Sequence, residues 1–179
     1  MPAIPLRLVR AVATLDVAPG HRVLEIGGGP GVSAALIGEI LARGDGHYLG
    51  IDRSALATQR ARARNAAHVS AGRAEFRTQA LEDAKLPAAA FDRILAVNVN
   101  LFWTDPAGPG LGRLRATLKD GGQLVLVYES VASGTETLRP LETVLRTALA
   151  NNRFTLTRRV VRAEEPRPQL YLVAVPSGG

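Results

Sequence analysis

The residues of this chain best suited to chemistry lie between Glu25 and Asp52. The segment Val23-Leu24-Glu25-Ile26-Gly27-Gly28-Gly29-Pro30-Gly31-Val32-Ser33 runs from branched apolar residues through one acid into clustered glycines. Glycines accept positive φ and leave the backbone uncovered, so a ligand can lie on the turn and on the N–H groups that open a following helix. A second apolar run, Tyr48-Leu49-Gly50-Ile51, ends in Asp52, 21 residues beyond Gly31. From that position a carboxylate can take the hydroxyls of an adenosine ribose. The chemistry this pattern offers is capture of a nucleoside, with a polar group laid over a glycine turn.

The elements that must position these residues follow from the same pattern. A short apolar run bounded by Pro19-Gly20 and by glycines reads as a buried parallel strand, and the glycine turn after it as the first strand-to-helix connection of a nucleotide-binding sheet. Strands are expected near 22–26, 47–51, 74–77, 93–98, 123–128, 154–161 and 169–175, with helices near 31–43, 54–68, 110–118 and 138–150. Leu6 to Leu15 has helical apolar spacing and forms a cover helix within residues 1–16. Gly121-Gly122 is expected as a turn, Pro106 to Gly112 as a loop, and Glu164 to Pro168 as a hairpin turn. Pro140 must sit in the first turn of its helix or kink it.

At Glu25, Gly27, Gly29, Gly31 and Asp52 the chain resembles the class I S-adenosylmethionine-dependent methyltransferases. Dinucleotide-binding enzymes usually lack the acid before the first glycine and place their third glycine further on. The resemblance implies a doubly wound α/β fold: a seven-stranded, mostly parallel sheet with one reversed edge strand, the Rossmann-like methyltransferase fold. It implies that Glu25, Gly27, Gly28, Gly29 and Gly31 hold the methionine part of S-adenosyl-L-methionine, Asp52 its ribose and Arg53 the flank of its adenine, with S-adenosyl-L-homocysteine as product. The segment Gln79-Ala80-Leu81-Glu82-Asp83-Ala84-Lys85-Leu86-Pro87 resembles the family's third contact segment. Ala80 falls where many members carry an Asp that bonds the adenine amino group, with Leu81 beside it. Adenine recognition is thereby left to backbone groups, to Gln79, or to Glu82 or Asp83 in a shifted register.

The fourth strand runs into Asn98-Val99-Asn100-Leu101-Phe102-Trp103, where the resemblance places methyl delivery and lets the Asn98 carbonyl meet the cofactor's amino group. The Asn/Asp, two prolines and aromatic of many amino-methylating members are absent. Phe102 and Trp103 read equally as a hydrophobic cover or as substrate contacts. Candidate substrate contacts are Asn100, Trp103 and Tyr128, and candidate catalytic groups Asn98, Tyr128 and Glu129. Because a sulfonium methyl is already activated, alignment alone can drive its transfer, and a dedicated base is not required. Ligands gather at the carboxyl ends of such strands. His21, His47 and His68 each precede a strand and are expected at the other edge.

Composition bounds the rest. The 179 residues, 46% of them hydrophobic, fit one domain spanning 1–179 with a substantial core. Without cysteine the chain has no disulfide, cysteine zinc site or thiol nucleophile, which excludes methyl transfer through a cysteine adduct. No metal site is expected. No apolar run reaches membrane-spanning length and no signal-peptide pattern opens the chain, so the expectation is a cytoplasmic protein without membrane partners. The net charge of +6 rests on arginine, Lys85 and Lys119 being the only lysines, and aromatics for base stacking are few. Methyl transfer to a small-molecule acceptor is therefore expected ahead of RNA methylation on the basic surface or of cofactor binding without turnover. With no inserted substrate domain, the cleft is expected to be open and completed by a second subunit or a large acceptor, which makes a homodimer possible.

Overall fold

A computed structural model of the chain describes residues 4–163 and 167–178. Seven strands form one sheet: β1 (Arg22–Ile26), β2 (His47–Asp52), β3 (Ala74–Thr78), β4 (Phe91–Val97), β5 (Leu118–Glu129), β6 (Phe154–Arg162) and β7 (Gln169–Pro176). Their order is β3-β2-β1-β4-β5-β7-β6, parallel from β3 through β5. The order of the strands reverses between β1 and β4, which leaves a crevice at the carboxyl edge of the sheet.

Alternate side chains of the central strands feed two cores. Val23, Leu95, Val125 and Val127 pack against helices α1 (Leu6–Leu15) and α2 (Val32–Leu41), with Ala61 of α3 (Ala55–Arg64) in the same cluster. Leu24, Ile26, Ile94, Leu124 and Leu126 pack on the other face with Phe102 of α5 (Leu101–Thr104), Leu111 and Leu114 of α6 (Gly110–Thr117), and Leu145 and Leu149 of α7 (Leu138–Asn151). Helices on both faces explain why these strands read as continuous apolar runs.

Strand β7 is antiparallel to both β5 and β6, so the reversed strand is not at the edge, contrary to expectation. Its residues from Gln169 to Ala174 are all buried, whereas β6 exposes Arg158, Arg159 and Arg162. The apolar strand goes inside, and the arginine-bearing one takes the edge, where charge blocks further pairing. The turn expected at Glu164 to Pro168 falls largely on residues 164–166, outside those described.

Three other boundaries differ from the sequence reading. The helix expected over 54–68 breaks at Asn65 into α3 and α4 (Ala66–Ser70). Strand β5 begins at Leu118, the Gly121-Gly122 pair being absorbed in a register shift opposite Phe91 and Arg93, with Gly121 at φ +74°. A single helical turn, α5, lies within the segment between β4 and the expected 106–112 loop. Pro140 sits in the first turn of α7, after a 3₁₀ turn at Thr135–Thr137; its missing N–H is one that has no helical partner there. Among the described residues no helix is long and apolar enough to cross a membrane.

Candidate functional site

Strand β1 ends where the glycine turn begins. Gly27 has φ +67°, donates its N–H to the Ile51 carbonyl at 2.8 Å, and leaves no room for a side chain, since a Cβ would lie 2.8 Å from Val99 Cγ2. At the far end Gly31, φ +75°, caps α2, and a Cβ there would lie 2.6 Å from Asn65 Nδ2. Asp52 closes the turn from the next strand. Its Oδ2 accepts from Gly29 N at 2.9 Å and its Oδ1 from Ser54 N at 2.8 Å, so one carboxylate joins the glycine turn to the start of α3.

A cavity of about 340 Å³ opens at this edge. Gly27, Asp52 and Arg53 form one side, Gln79, Leu81 and Glu82 another, and Asn98, Val99, Asn100, Leu101 and Thr104 the third. Its size suits an organic ligand. Of the residues expected at a cofactor or acceptor, it brings together Gly27, Asp52, Arg53, Leu81, Asn98 and Asn100. Gly28, Gly29, Gly31, Ala80, Trp103, Tyr128 and Glu129 are not in its wall.

Glu25 is not in the wall either. It lies beneath the turn, 2% exposed, where its Oε1 accepts from Ser33 Oγ at 2.5 Å and its Oε2 from the Tyr48 hydroxyl at 2.6 Å. Burial raises its pKa to about 7 against the pull of both hydroxyl donors, and nearby Asp52 pushes it the same way. In this position Glu25 holds the strand, α2 and the second strand together beneath the turn.

Several acceptor-side residues are engaged within the fold. Tyr128 is buried, its hydroxyl donates to the Val99 carbonyl at 2.6 Å, and burial pushes its pKa well up. The phenol thereby braces Val99, a residue of the cavity wall. Glu129 faces Arg7 at 3.5 Å and accepts from Gln169 Nε2 at 3.4 Å. Asn98, in the left-handed region at φ +54°, accepts from Glu129 N through Oδ1 at 2.8 Å, stapling the ends of β4 and β5. Phe102 is a core residue, while Trp103 is 40% exposed. His21 and His47 stand at the starts of β1 and β2, and His68 lies on α4 just before β3. None reaches the cavity wall.

Two residues that sequence reasoning passed over hold the turn from behind. Asn65, 3% exposed at the α3–α4 break, donates through Nδ2 to the Gly31 carbonyl at 3.0 Å and to the Ala61 carbonyl at 2.8 Å. Arg64 Nε donates to the Pro30 carbonyl at 3.0 Å. Only Asn65, a helix-disfavoured residue interrupting an expected helix, carried a signal, and that signal did not say what it would touch.

A mostly parallel sheet with a glycine turn, a strand-end carboxylate and a cleft between them is the doubly wound α/β architecture. Residues 23–122 match the family described as methyltransferase domain, and the chain belongs to it. Among solved structures, geranyl diphosphate C-methyltransferase from Streptomyces coelicolor A3(2), in complex with Mg²⁺, geranyl diphosphate and S-adenosyl-L-homocysteine, is 14% identical. It superposes at a TM-score of 0.74 over 94% of this chain and 78% of that one. Magnesium protoporphyrin IX methyltransferase from Synechocystis PCC 6803, with bound SAM, is 20% identical at a TM-score of 0.69, over 95% of this chain and 76% of that one. The [4+2]-cyclase SpnF is 16% identical at a TM-score of 0.77, over 97% and 82%. These likenesses establish the fold, and the cyclase among them illustrates that the fold does not set the reaction. A 37.1 kDa protein in transposon TN4556 of Streptomyces fradiae is 32% identical over 114 residues, 63% of this chain but only 31% of that protein.

Proposed function

We propose that the chain transfers the methyl group of S-adenosylmethionine to a small-molecule acceptor. The observation that carries this reading is the convergence of Gly27, Asp52 and Asn98 on one cavity, in a chain of the methyltransferase family. The solved relatives named above as methyltransferases, crystallised with SAM or S-adenosylhomocysteine and named for small-molecule acceptors, support it.

The donor set fits the cofactor. A carboxylate has about four acceptor sites, and Asp52 uses two on backbone N–H groups, so lone pairs remain for ribose hydroxyls. Ile26, Ile51 and Leu81 supply apolar wall. When bound, the cofactor supplies a methyl on a positively charged sulfur, already activated toward a nucleophile. The residues of this chain position the partners. Gly27 lets backbone close on the ligand; the Asn98 staple and the Tyr128–Val99 bond fix the wall beside the cavity. Of the acids in the cavity wall, Asp52 ends β2 and Glu82 follows β3, away from the β4 end where an acceptor would enter. Transfer on this reading is driven by alignment, with the acceptor's own lone pair as nucleophile.

Some of the arginines are engaged by the fold itself. Arg62 donates to the Phe76 carbonyl, Arg93 to that of Leu15, Arg115 to that of Arg153 and Arg158 to that of Thr14, while Arg159 pairs with Glu142. Such bracing favours the small acceptor over RNA. Exposed Trp103 and Val131, both following strand ends, mark a rim that the acceptor or a second subunit would cover. Calorimetry with S-adenosylhomocysteine and with NAD tests the donor: saturable binding of the first alone is expected, and binding of NAD instead overturns the reading.

A further inference from the structure

The resemblance drawn from the sequence sets Ala80 where many family members carry an adenine-side carboxylate, and Ala80 is off the cavity wall. Its neighbours Gln79, Leu81 and Glu82 are on it. Gln79 follows the last residue of β3, whose partner in the register is Asp52, and its backbone N–H donates to the Asp52 carbonyl at 3.0 Å. Adjacent strands lie about 4.8 Å apart. Gln79 is thus fixed one strand over from the carboxylate assigned to the ribose, where the base attached to that ribose would extend.

The Gln79 side chain has an unmet need. Among the described residues its Nε2 is buried and has no hydrogen-bond partner. Buried polar groups in folded proteins are ordinarily satisfied, and an exception calls for an explanation. Adenine offers one, because its exocyclic amino group donates while the ring nitrogens beside it accept. A primary amide presents the complementary acceptor and donor in one plane, a pairing glutamine makes with adenine in nucleic-acid recognition. A carboxylate can only accept, so Glu82 could meet the amino group but not a ring nitrogen. The terminal torsion of glutamine is soft, so the amide turns to either edge at little cost. Ile51 and Leu81, lining the same cavity, supply apolar surface for the ring.

We propose that Gln79 reads the adenine of S-adenosylmethionine through its side-chain amide, Oε1 accepting from the amino group and Nε2 donating to an adjacent ring nitrogen. The proposal rests on the cofactor reading above. It makes this chain's adenine contact a neutral, two-bond one where many relatives use a single charged acceptor.

Calorimetry on the full chain tests it with S-adenosylhomocysteine and its 1-deaza and 7-deaza adenine analogues, against wild type, Gln79→Leu, Gln79→Met and Glu82→Gln. Wild type should bind one deaza analogue about tenfold more weakly than the parent. Gln79→Leu and Gln79→Met should bind the parent about tenfold more weakly and no longer distinguish that analogue, whereas Glu82→Gln should stay within twofold of wild type. The analogue arm needs no substitution, so it stands even where a variant folds poorly. Equal affinity of wild type for all three ligands, or a loss confined to Glu82→Gln, overturns the proposal and leaves the cofactor reading intact. Failure of wild type to bind S-adenosylhomocysteine at all overturns both.

Discussion

The Tyr48 hydroxyl donates to Glu25 Oε2 at 2.6 Å, tying the second strand of the sheet to the acid beneath the glycine turn. Both side chains are buried, and burial raises the Glu25 pKa to about 7 from an ordinary value of 4.5. The folded chain therefore binds more protons than the unfolded one between those values. Stability contributed by this acid is complete below about 4.5 and is lost as the pH rises through about 7, levelling above it. The loss is at most about 1.4 kcal/mol per pH unit. Glu25→Gln should flatten this fall; urea unfolding of both proteins between pH 5 and pH 8 measures it, and parallel slopes would place the shifted proton elsewhere.

Asn65→Ala should loosen the turn without touching the ligand. It leaves the Gly31 carbonyl without the Nδ2 donor held at 3.0 Å. A lost buried hydrogen bond costs about 1–3 kcal/mol. The melting temperature should fall, and affinity for S-adenosylhomocysteine should weaken several-fold while the rate at saturating cofactor changes little. An unchanged affinity in a destabilised variant would confine Asn65 to packing.

Asp52→Asn keeps the shape of the strand end but removes charge and half its acceptor capacity. Gly29 N and Ser54 N both rely on this carboxylate. Affinity for S-adenosylhomocysteine should drop at least tenfold, since hydrogen bonds to a charged group are worth about 1.5–3 kcal/mol. Equilibrium binding reads the change directly, and a drop below threefold would remove Asp52 from the ligand.

Tyr128→Phe separates a brace from a base. The hydroxyl is committed to the Val99 carbonyl and its proton is held tightly by burial. Loss of that bond should cost about 1 kcal/mol of stability. Once an acceptor is in hand, the pH dependence of kcat should keep its wild-type form. A missing basic limb in the variant's profile would restore Tyr128 as a general base.

The glycine turn, the strand-end Asp52 and all seven strands were legible in the sequence because each is a local signal. Short branched apolar runs mark buried parallel strands, and glycines mark where the chain must turn without a side chain. The helix over 54–68 was legible in type but not in its break. Ala66 to Ser70 has nothing in its composition to stop a helix; Asn65 interrupts it because its side chain is taken by Gly31 and Ala61.

By itself, then, the sequence determined the doubly wound class, the glycine turn and the acid at the end of the neighbouring strand. All are fixed by residue type and spacing along one or two adjacent elements. Only the tertiary structure decided which way each polar side chain is used. It turned Glu25 under the turn toward Tyr48, 23 positions away, and Tyr128 into a brace for Val99, 29 positions away. It put β7 inside β6, and left Nε2 of Gln79, a residue of the cavity wall, buried without a partner among the described residues. These outcomes depend on long-range packing and on satisfying buried polar groups. Neither quantity is written in the local pattern of a chain.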